Sequence, residues 1–205
     1  MLKIKNFSLK SRGDIVLEID YLHVPKGTKI QICGENNSGK SLLSKSLVTE
    51  YNDFDGEIKI REQNSILLKN RRKTILIEKN EQLISNMSIW ENIILPQKKI
   101  TSRLKTKILN FCQLCGLEDI IEEPVSKISS SDQKIVEIIR AVVQLPFLII
   151  LDDFDIFFDE IKIIKIMSLF DYALSSGTSI ITTSKIRCNE FDICYQIQNK
   201  KMVQL

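Results

Sequence analysis

Gly34-Glu-Asn-Asn-Ser-Gly39-Lys40-Ser41 is the stretch that decides the fold. It satisfies G-x-x-x-x-G-K-[ST] at every fixed position, and average residue usage gives roughly a one per cent chance of that in a chain of this length. The flanks supply the context the motif requires. Lys29 to Cys33 is a short apolar strand ending at Gly34, and Leu42, Leu43, Leu47 and Val48 follow at helical spacing. Glycines let such a loop curl until several backbone N–H groups face a phosphate, and the helix adds the positive end of its dipole. Gly34, Glu35, Asn36, Asn37, Ser38, Gly39, Lys40, Ser41 and Leu42 are therefore the candidate phosphate-binding residues. In this pattern the Lys40 ammonium reaches the β- and γ-phosphates, and the Ser41 hydroxyl ligates Mg²⁺.

A Mg²⁺ held there needs a second protein oxygen at the end of a neighbouring strand. Phe147-Leu-Ile-Ile-Leu-Asp152-Asp153 is an apolar run closed by two carboxylates. Asp152 suits the ion's shell, usually through water. Asp153 falls where a base that activates water would sit.

Outward from these two stretches, Leu2 to Leu9 and Ile15 to Val24 alternate apolar and polar residues around the turn Ser11-Arg-Gly-Asp14. Glu57 to Ile60 and Thr74 to Ile77 read as further strands. From Ile89 to Ile121 the apolar spacing becomes largely helical, as in Leu104, Ile108, Phe111, Cys112 and Cys115. Helices about Asp132 to Val143 and Glu160 to Leu174 then alternate with buried strands Phe147 to Leu151 and Ser179 to Thr183. Cys194 to Gln198 and Met202 to Leu205 close as a hairpin around Asn199-Lys200. Helices between buried strands imply a mostly parallel sheet. The expected fold is α/β: a phosphate-loop NTPase core, an N-terminal antiparallel β subdomain and a small helical subdomain at about 86–143, in one domain spanning 1–205.

Composition narrows the chemistry. The 29 Lys+Arg residues against 26 Asp+Glu leave +3, too mild to argue for nucleic acid. A single histidine, His23, excludes a His-rich metal site and reads as structural at a strand end. The five scattered cysteines fit reduced thiols, and Cys112-x-x-Cys115, lying on a helix without a second pair, reads as packing. No apolar run approaches the roughly 18 residues of a spanning helix, and the N-terminus lacks a signal-peptide core, so a cytoplasmic protein is expected. Lys98, Lys99, Arg103, Lys105 and Lys107 form a basic run whose plain reading is a solvated helix face, with a partner or anionic lipid surface as the alternative.

Further motifs, in order and spacing, resemble the ATP-binding subunit of an ABC transporter. Ile128-Ser129-Ser130-Ser131-Asp132-Gln133-Lys134, followed by Ile138-Ile139-Arg140-Ala141-Val142, resembles the family's L-S-G-G-Q signature and the helix after it. Asp155-Ile-Phe-Phe-Asp159 resembles the D-loop, Asp53-Phe-Asp-Gly56-Glu-Ile the x-G-x-I strand, and Ser88-Ile-Trp-Glu91-Asn92-Ile the start of the helical subdomain. The likeness covers nearly the whole chain. It implies two subunits, as homo- or heterodimer, that sandwich two ATP molecules with Mg²⁺, each between one phosphate loop and the other subunit's signature. Ser129 and Ser131 then belong to the nucleotide site. It also implies a separate integral-membrane permease, with this chain peripheral at the inner face of the cell membrane.

The departures from that pattern carry their own expectations. Ser130 and Ser131 replace the signature glycines and Asp132 its Gln or Glu. Asp153 replaces a catalytic Glu, shortening the reach by about 1.5 Å, so slow hydrolysis is expected rather than none. The loop expected to carry Gln falls at Glu78-Lys79, and the switch histidine is replaced by Ser184-Lys185, with Lys185 left to counter γ-phosphate charge. The adenine-stacking aromatic is missing: Phe7 faces the core, leaving Leu9 or Arg12. A transport ATPase is thus expected first and a degenerate ATP-binding clamp second. A DNA- or ribosome-acting ATPase is weakest, since the chain has neither a coiled-coil insertion nor a second ATPase domain.

Overall fold

A computed structural model describes residues 1–61, 63–64 and 74–205. Its strands are β1 (Leu2–Ser11), β2 (Asp14–Val24), β3 (Lys29–Cys33), β4 (Phe54–Ile60), β5 (Gln63–Asn64), β6 (Thr74–Ile77), β7 (Leu148–Leu151), β8 (Ser179–Ser184), β9 (Ile193–Gln198) and β10 (Lys201–Gln204). The helices are α1 (Lys40–Leu47), α2 (Ile89–Ile94), α3 (Ser102–Cys115), α4 (Ser130–Val142) and α5 (Glu160–Ser175). All ten strands join one sheet in the order β5-β4-β1-β2-β10-β9-β3-β8-β7-β6. One end is antiparallel (β1 with β2 and β4) and the other parallel (β9-β3-β8-β7-β6). This is the expected α/β fold.

Alternation explains how the parallel strands bury both faces. In β7, Leu148 and Ile150 join one apolar cluster with β1, β2, β4 and α1, while Ile149 and Leu151 join another beneath α2 to α5. Both faces of β7 are therefore dry, as the unbroken apolar run Phe147 to Leu151 requires. Each fully buried Ile or Leu there contributes about 1.5–3 kcal/mol. Asn199 and Lys200 both adopt positive φ (48° and 64°), the turn geometry that matches strand twist in a two-residue hairpin.

The largely helical region from Ile89 to Ile121 comprises α2, α3 and a 3-10 turn at Glu118–Ile120. Ser88 caps α2 in a reciprocal pair with Glu91, and Thr101 caps α3. Cys112 and Cys115 face the core of the helical side, where burial pushes their thiols up to about 12 and about 11. They are packing residues, not a redox pair. Lys98, Lys99, Arg103 and Lys105 are exposed, while the Lys107 ammonium lies 3.9 Å from the centre of the Tyr172 ring. No helix among the described residues is long and apolar enough to cross a membrane.

Candidate functional site

The phosphate loop occupies the turn from β3 into α1. Gly39 has φ 94°, a left-handed backbone that favours glycine. Gly34 is tightly surrounded: a Cβ there would stand 2.6 Å from Ser38 Oγ and 3.2 Å from Ile197 Cβ, so Ser38 would have to move. Ser38 Oγ is buried without a hydrogen-bond partner among the described residues. The first intrahelical bond of α1 runs from Leu43 N–H to Gly39 O, so the N–H groups of Lys40, Ser41 and Leu42 precede it. No side chain caps that end. Lys40 is buried and spans the loop, donating to the carbonyls of Gly34 (2.7 Å) and Glu35 (2.9 Å). Ser41 stands exposed at the first turn, and the Leu42 side chain packs on the core, leaving only its backbone to face a ligand.

Asp152 follows β7 directly and is buried, with its N–H on the Ile77 carbonyl. Its Oδ1 accepts from Thr183 Oγ1 at 2.6 Å, with Ser44 Oγ farther off at 3.5 Å. Asp153 follows in the left-handed region (φ 55°, ψ 50°), and its N–H donates to the same Thr183 Oγ1 at 2.9 Å. Burial raises the Asp153 pKa, and the Asp152 charge adds to this; the Lys40 and Lys79 ammonium groups pull the other way. Asp152, Asp153 and Lys40 thus share one neighbourhood.

The donor set fits a nucleotide with a hard cation. The loop holds a buried orphan hydroxyl, an uncapped helix start and a lysine that can exchange carbonyls for phosphate oxygens. Asp152 and Ser41 supply two oxygens only, and among the described residues no group of three or more His, Cys, Asp or Glu could cage an ion. That suits Mg²⁺, which keeps waters and substrate oxygens in its shell.

A groove of about 820 Å³ opens beside the loop. Asp14, Ile15 and Val16 of β2 line one wall, Glu35 to Ser38 the floor, and Gln196 to Lys200 of the β9–β10 hairpin the other wall. Neither candidate for the base side lines it. Leu9 is fully buried in the core because it points to the inner face of β1, and Arg12 sits in the β1–β2 turn. Ile15 and Val16 line the groove instead, and Phe7 is in the core as expected.

At the end of β8, Ser184 turns inward. It accepts from the Gln31 side chain at 2.8 Å and donates to the Ile186 carbonyl at 2.9 Å. Lys185 is exposed, with its ammonium 3.7 Å from Glu35 Oε2 over the loop. Asp155 anchors this turn by accepting the N–H groups of Lys185 (2.9 Å) and Ile186 (3.0 Å).

The signature residues stand apart, and none of their hydrogen bonds is with the phosphate loop. Ser129 caps α4, accepting the Asp132 N–H at 3.2 Å and donating to Asp132 Oδ2 at 2.6 Å. Lys162 of α5 donates to Ser131 Oγ (2.5 Å) and Asp132 Oδ1 (2.8 Å). Thr183, Ser44 and Lys162 were not singled out in the sequence. Thr183 left one trace there, polar residues inside the apolar strand Ile180-Ile-Thr-Thr-Ser184.

Comparisons with known proteins agree with this geometry. The family model described as ABC transporter matches residues 17–154 of the 205. A lantibiotic transport ATP-binding protein of Streptococcus pyogenes is 28% identical over 91% of this chain and 80% of its own length. A putative ABC transporter ATP-binding protein of onion yellows phytoplasma is 25% identical over 88% of this chain, which spans 32% of that relative. Among solved structures, an ATP-binding subunit of an ABC transporter superposes with a TM-score of 0.86 at 19% identity, over 100% of this chain and 90% of that one. An ATP-binding cassette of an ABC transporter in its ADP conformation gives 0.80 at 18%, over 99% and 89%. With the phosphate loop, the paired acids and the fold in place, the chain belongs to the ABC transporter family and carries its ATP-binding domain.

Proposed function

We propose that the chain is a transport-type ATPase subunit that binds MgATP, pairs with a second ATP-binding subunit, and drives a separate integral-membrane permease from the cytoplasmic face. The observation that carries this reading is the convergence of Lys40, Asp152 and Asp153 at a phosphate loop whose helix start is uncapped. Lys40 leaves the Gly34 and Glu35 carbonyls for the phosphates, and the N–H groups of α1 orient them. Mg²⁺, when bound, supplies positive charge on the phosphate oxygens. Asp153 takes the proton of the attacking water; its raised pKa makes it a better base than an ordinary Asp but leaves a short reach. Ser129 and Ser131 serve the second subunit's nucleotide. Turnover is therefore slow.

The test is ATP-dependent pairing. Asp153→Asn protein with MgATP should run as a dimer in size-exclusion chromatography, and native membranes should yield an integral-membrane protein bound to the wild type. Monomers at saturating MgATP, with no membrane partner recovered, would sink the reading.

Two observations favour a second reading, a clamp that binds ATP without turning it over. The Ser129 hydroxyl proton is already given to the Asp132 carboxylate, and Ser184 is turned into the interior. Dimerisation with MgATP and no phosphate release above background would select the clamp.

A further inference from the structure

We propose that Thr183 is the positioning residue for both acids of the site, presenting Asp152 to the cation and holding the backbone of Asp153. The proposal rests on the ATPase reading above.

Thr183 is buried in β8, between β3 and β7. Its register partner on β3 is Ile32, one residue before the strand gives way to the loop at Cys33-Gly34. On the other side, Leu151 pairs with Thr182, so Thr183 lies level with the point where β7 releases Asp152. A hydroxyl in this slot meets both acids at once. The proton assignment has one solution. The Asp153 amide can only donate, so Oγ1 accepts it (2.9 Å), and the single hydroxyl proton goes to Asp152 Oδ1 (2.6 Å).

Two consequences follow. Asp152 is held through Oδ1, which leaves Oδ2 as its outward oxygen. The Ser44 hydroxyl is too far, at 3.5 Å, to do this alone. Asp153 is kept in the left-handed region, which Asp tolerates but does not prefer. Without that bond the turn relaxes and the direction of the carboxylate changes. Nucleotide contacts through the loop are untouched, because Thr183 bonds none of the residues 34–42 among the described residues.

Thr183→Val keeps the shape and removes the hydroxyl; Thr183→Ser keeps the hydroxyl. Two quantities are measured: steady-state phosphate release, and the Mg²⁺ concentration that half-saturates binding of a fluorescent ATP analogue. Thr183→Ser should stay within about threefold of wild type in both. Thr183→Val should lose roughly tenfold in kcat with KM within about threefold, and should need about fivefold more Mg²⁺. If Thr183→Val melts below the assay temperature, Thr183→Cys replaces it, since a thiol bonds weakly in the same place. Equal behaviour of the Val (or Cys) and Ser variants in both measurements overturns the proposal. Wild type without phosphate release removes the hydrolysis reading alone, and the Mg²⁺ titration still decides the role of Thr183. Wild type that binds no nucleotide overturns both.

Discussion

The Asp132 carboxylate and the Lys162 ammonium lie 2.8 Å apart, joining the first turn of α4 to the first turn of α5. Burial opposes the charge on Asp132, but hydrogen bonds from Lys162 and Ser129 outweigh it and hold its pKa below the ordinary value. A carboxylate with a depressed pKa stabilises the fold above its unfolded pKa, about 3.9, and that contribution is lost as pH falls through the lower folded value. Wild type should therefore melt above Asp132→Asn at pH 6–7 (about pH 4 is where the gap starts to close), and the two curves should meet in stronger acid. A constant gap across the acid range would refute the assignment.

In the proposed ATP-bound dimer, the same pair bears on subunit pairing. With Asp132 removed, as in Asp132→Gly, the Ser129 hydroxyl loses its carboxylate acceptor and keeps only the longer contact to Ser131 Oγ (3.1 Å), and a negative charge leaves the helix start. ATP-dependent dimerisation should tighten by roughly three- to tenfold. Analytical ultracentrifugation over a concentration series reads this directly; weaker dimers would place Asp132 among the residues that favour contact.

Asp153 shows the opposite linkage. Its pKa is raised, chiefly by burial, so its contribution to stability is fully present below the unfolded pKa and is lost as pH rises through the folded one. Asp153→Asn should accordingly raise Tm at pH 7 and leave it unchanged in strong acid. Asn also tolerates the positive φ at this position. Phosphate release should vanish in the same variant while nucleotide binding persists.

Gly34→Ala tests the loop. The added methyl must displace Ser38 Oγ, 2.6 Å away, and Ile197 stands on the same side at 3.2 Å. Isothermal titration should show nucleotide affinity reduced by at least about tenfold, with a modest loss of stability. Affinity equal to wild type would mean that the loop opens before it binds.

Lys134 and Glu137 form a buried ion pair at 2.6 Å within α4, and both reach the segment after β6. Lys134 donates to the Glu78 carbonyl, Glu137 accepts the Gln82 N–H, and Arg140 donates to the Gln82 carbonyl. Glu137→Ala leaves a buried ammonium without its counter-charge and should cost about 3–5 kcal/mol in denaturant unfolding. The double change Lys134→Met with Glu137→Leu should recover much of that.

The fold was legible where its causes are local. The phosphate loop, the alternation in β1 and β2, and the turn at Asn199-Lys200 each depend on residues within one element. The sequence places the start of α4 near Asp132, whereas the helix begins at Ser130, behind a cap by Ser129 that the apolar spacing does not reveal. What stayed hidden lies in pairings across the sheet and between helices. Thr183 meets Asp152 across 31 positions, and Lys162 meets Asp132 across 30. Period and propensity carry no information on such meetings. Ile15 and Val16 were missed for a related reason: which strand residues edge the groove depends on where the β9–β10 hairpin docks.

The sheet has a weak seam. Between β10 and β2 the ladder contains one pair, Lys201 with Glu18, helped by the Glu18 N–H on the Lys200 carbonyl at 2.7 Å. The groove beside the phosphate loop opens at that join, with one wall from each half. Whatever fills it therefore touches both halves of the sheet at the place where their ladder is thinnest.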